Sequence, residues 1–212
     1  MKAKTFIFIF SLFLFISCSQ ESAVIKEVNS KVIYEYKNKD SFPKQRLSLF
    51  IASNTDVRKF NSITIKDSNS DFCWETEDLF RFTNSDINYA GYASFVLPYG
   101  DVFSEGMYNI TITTKANENL EYDYNLNYKK ELLSLKAEAA VDEMKKSGAI
   151  ENICIYDSEN KLLFFGTKSD DFKTNRDIWL KYNNAESYNI IWILDNRSTM
   201  CILPSEKVTP GD

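Results

Sequence analysis

Four cysteines and no histidine limit the chemistry open to this 212-residue chain. Without an imidazole there is no Ser-His or Cys-His pair, and the commonest general base and zinc ligand are missing. Thiols, carboxylates and aromatic rings remain. Cys18 stands directly after an apolar run, whereas Cys73, Cys154 and Cys201 are spread through the body with no CxxC or zinc-type spacing. Cys154 and Cys201 each sit mid-way along a strand-like stretch, so neighbouring strands are one way to join them in a disulfide. Closing a loop of that size stabilises a fold by ~4 kcal/mol. The competing reading is three buried thiols acting as small hydrophobes.

The acidic residues offer two patterns. Glu75, Glu77 and Asp78, and separately Asp170 and Asp171, form close pairs. Acid/base hydrolysis needs two carboxyls at a fixed separation in a cleft, one of them with a raised pKa. Charge runs in turns usually face solvent instead. Asp67-Ser68-Asn69-Ser70-Asp71 begins like a calcium loop, but Phe72 stands where that loop needs glycine and Asp78 where it needs glutamate. A polar hairpin turn is the better reading, and neither metal nor cofactor is expected. Phe72, Trp74, Phe80 and Phe82, with Tyr89 and Tyr92 close behind, form an aromatic cluster. Exposed, it is a patch that stacks on sugar rings or buries into a protein partner; buried, it is core. Trp179 and Trp192 carry the same ambiguity.

Composition narrows the class. At 24.6 kDa, 44% hydrophobic and 26% charged, the chain is globular and long enough for one domain or two small ones. A formal charge of −5 excludes a general nucleic-acid binder, which needs a basic face. Six scattered glycines build no phosphate-binding loop.

The N-terminus reads MKAKTFIFIFSLFLFISC. Lys2 and Lys4 precede an almost unbroken apolar stretch, residues 5–16. As a helix those residues reach about 18 Å, short of the ~30 Å hydrocarbon core, which fits an export signal rather than a spanning helix. A cysteine directly after that stretch, preceded by the small Ser17, resembles the lipobox of bacterial lipoproteins. Phe15 and Ile16 depart from its usual Leu and small residue. The resemblance implies cleavage after residue 17, a diacylglycerol on the Cys18 thiol, and an acylated new amine. It places the protein in a bacterial envelope, its body on the periplasmic face or the cell surface. Losing residues 1–17 removes Lys2 and Lys4 and leaves 23 basic against 30 acidic residues, a formal charge of −7. Anionic lipid repels such a body, so the acyl chains must supply the membrane affinity.

Residues 18–30 then read as a lipidated start and short tether, and residues 31–128 as strands. Segments 31–37, 47–52, 62–66, 72–75, 92–97, 108–113 and 120–128 are rich in β-branched and aromatic residues, separated by turn clusters. Seven short strands in about 100 residues indicate an antiparallel β-sandwich. Gly106-Met107-Tyr108-Asn109-Ile110, entering a strand after a turn, resembles the penultimate strand of immunoglobulin-like and fibronectin type III-like domains. That likeness implies a tyrosine hydroxyl bonded back to the preceding corner.

The C-terminal portion, residues 129–212, has a different pattern. Residues 129–147 lack Gly and Pro, place Leu133, Ala137, Ala140, Val141 and Met144 on one stripe, and stop before Gly148, so they predict an amphipathic helix. Residues 152–165 and 189–203 each read as a hairpin, with a short helix between them within residues 170–182. The expected fold is therefore mainly β, an immunoglobulin-like sandwich with an α+β portion that either stands apart or completes the sandwich. The expected role is a lipid-anchored, non-enzymatic binding or structural module with a protein or glycan partner. A small histidine-free hydrolase using paired carboxylates is the alternative. Replacing the thiol, Cys18→Ala, is expected to release the protein from membranes or block its processing; membrane-bound mutant at its normal mature size would refute the anchor.

Overall fold

A computed structural model describes residues 24–98, 100–195 and 198–209. The signal segment 1–17, Cys18 and residues 19–23 lie outside the described residues. Thirteen strands follow in chain order. The first eight are β1 (Ile25–Glu35), β2 (Lys44–Ser53), β3 (Phe60–Asp67), β4 (Cys73–Thr76), β5 (Phe80–Asn84), β6 (Ile87–Phe95), β7 (Gly106–Thr114) and β8 (Asn119–Leu126). Helix α1 (Ala137–Lys146), β9 (Ile150–Asp157), β10 (Leu162–Thr167), α2 (Asn175–Lys181), β11 (Ala185–Leu194), β12 (Thr199–Ile202) and β13 (Glu206–Lys207) complete the fold.

Strands β1–β8 form the sandwich. One sheet runs β1-β2-β6-β5 and the other β4-β3-β7-β8. Lettered in chain order as A, B, C, C′, D, E, F and G, these are the A-B-E-D and C′-C-F-G sheets of an immunoglobulin-like fold. Alternation drives the packing. In β7, Tyr108, Ile110 and Ile112 point inward and are buried, while Asn109, Thr111 and Thr113 point outward. Leu47, Leu49 and Ile51 of β2 meet Ile63 and Ile65 of β3 in the same core. The expected tyrosine corner is present: the Tyr108 hydroxyl donates to the Ser104 carbonyl at 3.0 Å. Beside it, the Asp67 carboxylate accepts hydrogen bonds from Ser104 Oγ at 2.6 Å, Ser70 Oγ at 2.7 Å and the Asn69 backbone N–H at 2.8 Å. Burial alone would raise its pKa, but these donors outweigh burial and hold it below the usual carboxylate value.

Strand β5 lies outside the seven strands expected from the sequence. Its signal was Ser85-Asp86, two residues at positive φ (47° and 67°) that turn the β5–β6 hairpin. The first strand also starts at Ile25, six residues before the expected boundary, so residues 25–30 are strand rather than tether.

The C-terminal portion extends the first sheet instead of standing apart. β12 pairs in parallel with β1, from Val32 opposite Thr199 to Glu35 opposite Ile202, and the sheet continues through β11 and β9 to β10. Both predicted hairpins form, β9 with β10 and β11 with β12. The helix expected over 129–147 is shorter than read: a 3-10 turn covers Lys130–Ser134, Leu135 is extended, and α1 begins at Ala137. Buried Tyr36 accounts for the break, because its hydroxyl donates to the carbonyls of Leu132 and Leu135. Gly148, at φ 80°, ends α1 as expected.

Candidate functional site

The aromatic cluster lies at the edge where β4, the end strand of one sheet, hands the chain to β5, the end strand of the other. Glu77, Asp78 and Leu79 carry the chain from β4 in one sheet to β5 in the other, with Leu79 buried at the crossing. The four aromatic residues singled out from the sequence are therefore split. Phe72 and Trp74 belong to the β4 side and stack at 5.8 Å. Trp74 is half-buried, packs on Phe103 at 5.6 Å, and its indole N–H donates to the Val96 carbonyl at 2.7 Å, tying β4 to the end of β6. Phe80 and Phe82 stand on β5, 57% and 43% exposed.

A second aromatic layer supports the exposed pair. Phe80 stacks with Tyr92 at 6.4 Å, and Phe82 stacks with Tyr89 at 5.2 Å while meeting Phe50 edge-on at 5.0 Å. Such pairs add roughly 0.5–1.5 kcal/mol each beyond area burial, so the two outer rings are held in place before any partner arrives. Gly91 is required here. A Cβ on it would lie 2.1 Å from the Leu49 carbonyl oxygen and 2.6 Å from Phe50 Cα, so only glycine lets β2 and its Phe50 ring approach β6 this closely. The signal for Phe50 was present in the sequence: it is the one aromatic residue on the face of an alternating strand that otherwise carries Arg46, Ser48 and Ala52.

Beyond the end of β5 the chain leaves a groove. β5 reaches only to Gly91, so Tyr92, Ser94 and Val96 border an opening of about 340 Å³ whose other wall is Trp74, Glu75 and Thr76. Ser94 and Val96 also line a second depression of about 610 Å³ that runs on to Leu97, Val102 and Leu133. Within it the Arg46 guanidinium holds Glu35 at 2.8–2.9 Å and donates to the Ala93 carbonyl, so that cation and that carboxylate are committed to each other. The two depressions meet at Ser94 and Val96 to form a trough of mixed apolar and polar lining, and the exposed ring of Phe80 reaches its border through the stack on Tyr92. Its chemistry is stacking and apolar contact, bordered by hydroxyls and by the charged side chains of Lys44, Glu75 and Asp101.

The other candidates fall elsewhere. Asp170 and Asp171 are surface carboxylates bonded to Lys173 at 3.0 Å and Lys181 at 2.9 Å. Asp67, at the head of the calcium-like pentapeptide, spends both oxygens on the donors of its own turn and on Ser104. Among the described residues no three acidic or cysteine side chains are grouped to hold a metal. Trp192 is core, under the Lys145 ammonium at 5.3 Å.

The Cys154–Cys201 disulfide is not formed: Cys73, Cys154 and Cys201 are all free thiols. Register explains it. Cys154 lies across from Asn189 and Cys201 across from Trp192, with β11 between them. Two strand spacings separate the cysteines by about 9.6 Å, and an offset of three residues along β11 sends their side chains to opposite faces. That exceeds disulfide reach. Burial pushes the Cys201 thiol up to about 12 and raises that of Cys154, leaving exposed Cys73 as the accessible thiol.

No protein family, curated protein or solved structure matches this chain. No helix among the described residues is long and apolar enough to cross a membrane. Of Cys73, Cys154 and Cys201, a thiol reagent applied to the folded protein is expected to modify Cys73 quickly and the other two only after unfolding. Fast modification of Cys154 or Cys201, or no reaction at Cys73, would contradict these placements.

Proposed function

We infer that this chain is a lipid-anchored envelope protein that acts without catalysis, as a binding module whose contact surface is the aromatic trough. The reading joins two independent features. At the N-terminus, a charged start, a short apolar run and Cys18 supply a permanent tether, since two or three acyl chains hold where one does not. In the body, Phe80 and Phe82 remain exposed although well supported from below, and Phe80 stacks on Tyr92 at the border of the trough lined by Trp74, Tyr92 and Val96. That supported but uncovered pair of rings is the observation that carries the proposal. A folding role would bury them; a binding role needs them open and pre-organised.

The partner is a protein or glycan of the envelope presenting an extended, partly apolar face to the trough. A photo-reactive amino acid at position 80 or 96 of the membrane-bound protein is expected to give a discrete protein or saccharide adduct. The same residue at Leu162, equally exposed on the opposite edge of the large sheet, is expected to give none. No adduct at 80 and 96, or the same adduct at 162, would refute the assignment.

A further inference from the structure

The start of β1 fixes which end of the body meets the tether. Val24 is pinned to the β2–β3 turn: its N–H donates to Asn54 Oδ1 at 2.7 Å, and its carbonyl accepts from Ser53 Oγ at 2.8 Å. A shallow depression bordered by Lys26, Thr55, Asp86 and Ile87 joins this corner to the β5–β6 hairpin. The β7–β8 turn reaches the same pole, where the Lys115 N–H donates to the Lys59 carbonyl at 2.8 Å. Strands β1 and β6 both run from here to the far pole, where β1 ends at Glu35 and β6 at Phe95.

We propose that this pole, led by Val24 and Ile87, rests on the bilayer surface, so that the trough opens away from the membrane. The inference builds on the acylation of Cys18. Six Cα-to-Cα steps separate Cys18 from Val24, a maximum of about 20 Å. Ile87 and Val96 lie nine residues apart along one strand and its exit, about 30 Å. The tether is thus shorter than the body, and the near pole is held against the lipid while the far pole is not. Side-chain chemistry agrees. Val24 and Ile87 are exposed apolar residues, 53% and 43% accessible, at a site where nothing else in the chain covers them among the described residues. Charge agrees as well. In the turns of this pole Arg58, Lys59 and Lys115 balance Asp56, Asp86 and Glu118, and Lys26 balances Glu27 at the start of β1, so apart from Glu21 of the tether the excess of −7 on the mature chain lies elsewhere. An anionic leaflet repels such a near-neutral pole less than a surface that carries the excess negative charge.

The test uses the lipidated, full-length mature protein in phosphatidylethanolamine/phosphatidylglycerol vesicles. In a Cys73→Ser background, a fluorophore is attached at Ile87→Cys, Val24→Cys or Val96→Cys, and quenching by brominated lipid is compared. Labels at 87 and 24 are expected to be quenched at least twofold more than the label at 96. Equal quenching, stronger quenching at 96, or none at any position on a chain confirmed by mass spectrometry to be acylated overturns the orientation alone. A chain without acyl groups overturns both the orientation and the anchor it builds on.

Discussion

Strand β1 is paired along both edges, antiparallel to β2 and parallel to β12. In a sandwich of this order the first strand would otherwise be an edge, with a row of unpaired amides open to any passing chain. Here it lies inside a sheet, and the whole C-terminal portion is built outward from it. Side chains close the joint. Buried Tyr34 donates to the Lys129 carbonyl at 2.7 Å and accepts from the Gln45 amide, whose carbonyl in turn accepts the Phe103 N–H. Ser30, Tyr124 and Ser198 hydroxyls form a triangle with sides of 2.5–2.8 Å that links β1, β8 and the turn before β12. Each such bond contributes about 1 kcal/mol net, but a buried group left without its partner costs 1–3 kcal/mol. The joint is therefore costly to open at any one point.

This constraint shapes the surface available for binding. With β1 covered, the large sheet has its free edges at β10 and β5, on opposite sides of the molecule. At β5 the edge carries Phe80, Arg81 and Phe82, and the Arg81 guanidinium reaches over to the Phe60 and Leu79 carbonyls at 3.0 Å. That edge is thus locked to the β2–β3 connection while its rings stay open. The segment between sandwich and C-terminal portion is equally fixed. Lys129 is buried, yet Glu143 at 2.6 Å and Glu131 at 3.1 Å keep its ammonium charged in spite of that burial. What reads in the sequence as a boundary between two regions is a stitched seam, and the trough sits on a body without a hinge at that point.

Local pattern was legible in the sequence and long-range pairing was not. Alternation in Leu47–Ala52, Ser62–Lys66 and Tyr108–Thr113 marked real strands, because a strand with one buried face writes a period of two into its sequence. Tyr108 and its corner were legible for the same local reason, as were both C-terminal hairpins and the stop at Gly148. The parallel union of β1 with β12 joins residues more than 160 positions apart, and no local propensity encodes it. The helix over 129–136 failed for a related cause: good helix formers were overruled when distant Tyr36 took two of their carbonyls. The cysteine pairing failed by parity, since identical strand-centre positions say nothing about which face each thiol occupies. The aromatic cluster was found as a set, but its division between two sheets depended on the three-residue crossing at 77–79.

One shared strand makes a single cooperative body of the two regions. Native-state hydrogen exchange measures it directly, by comparing amides in β7, in β1 and in β9 under increasing denaturant. One common opening free energy is expected for the most protected amides of all three strands, equal to that of global unfolding. A β9 set that opens at clearly lower free energy, while β7 remains protected, would contradict it.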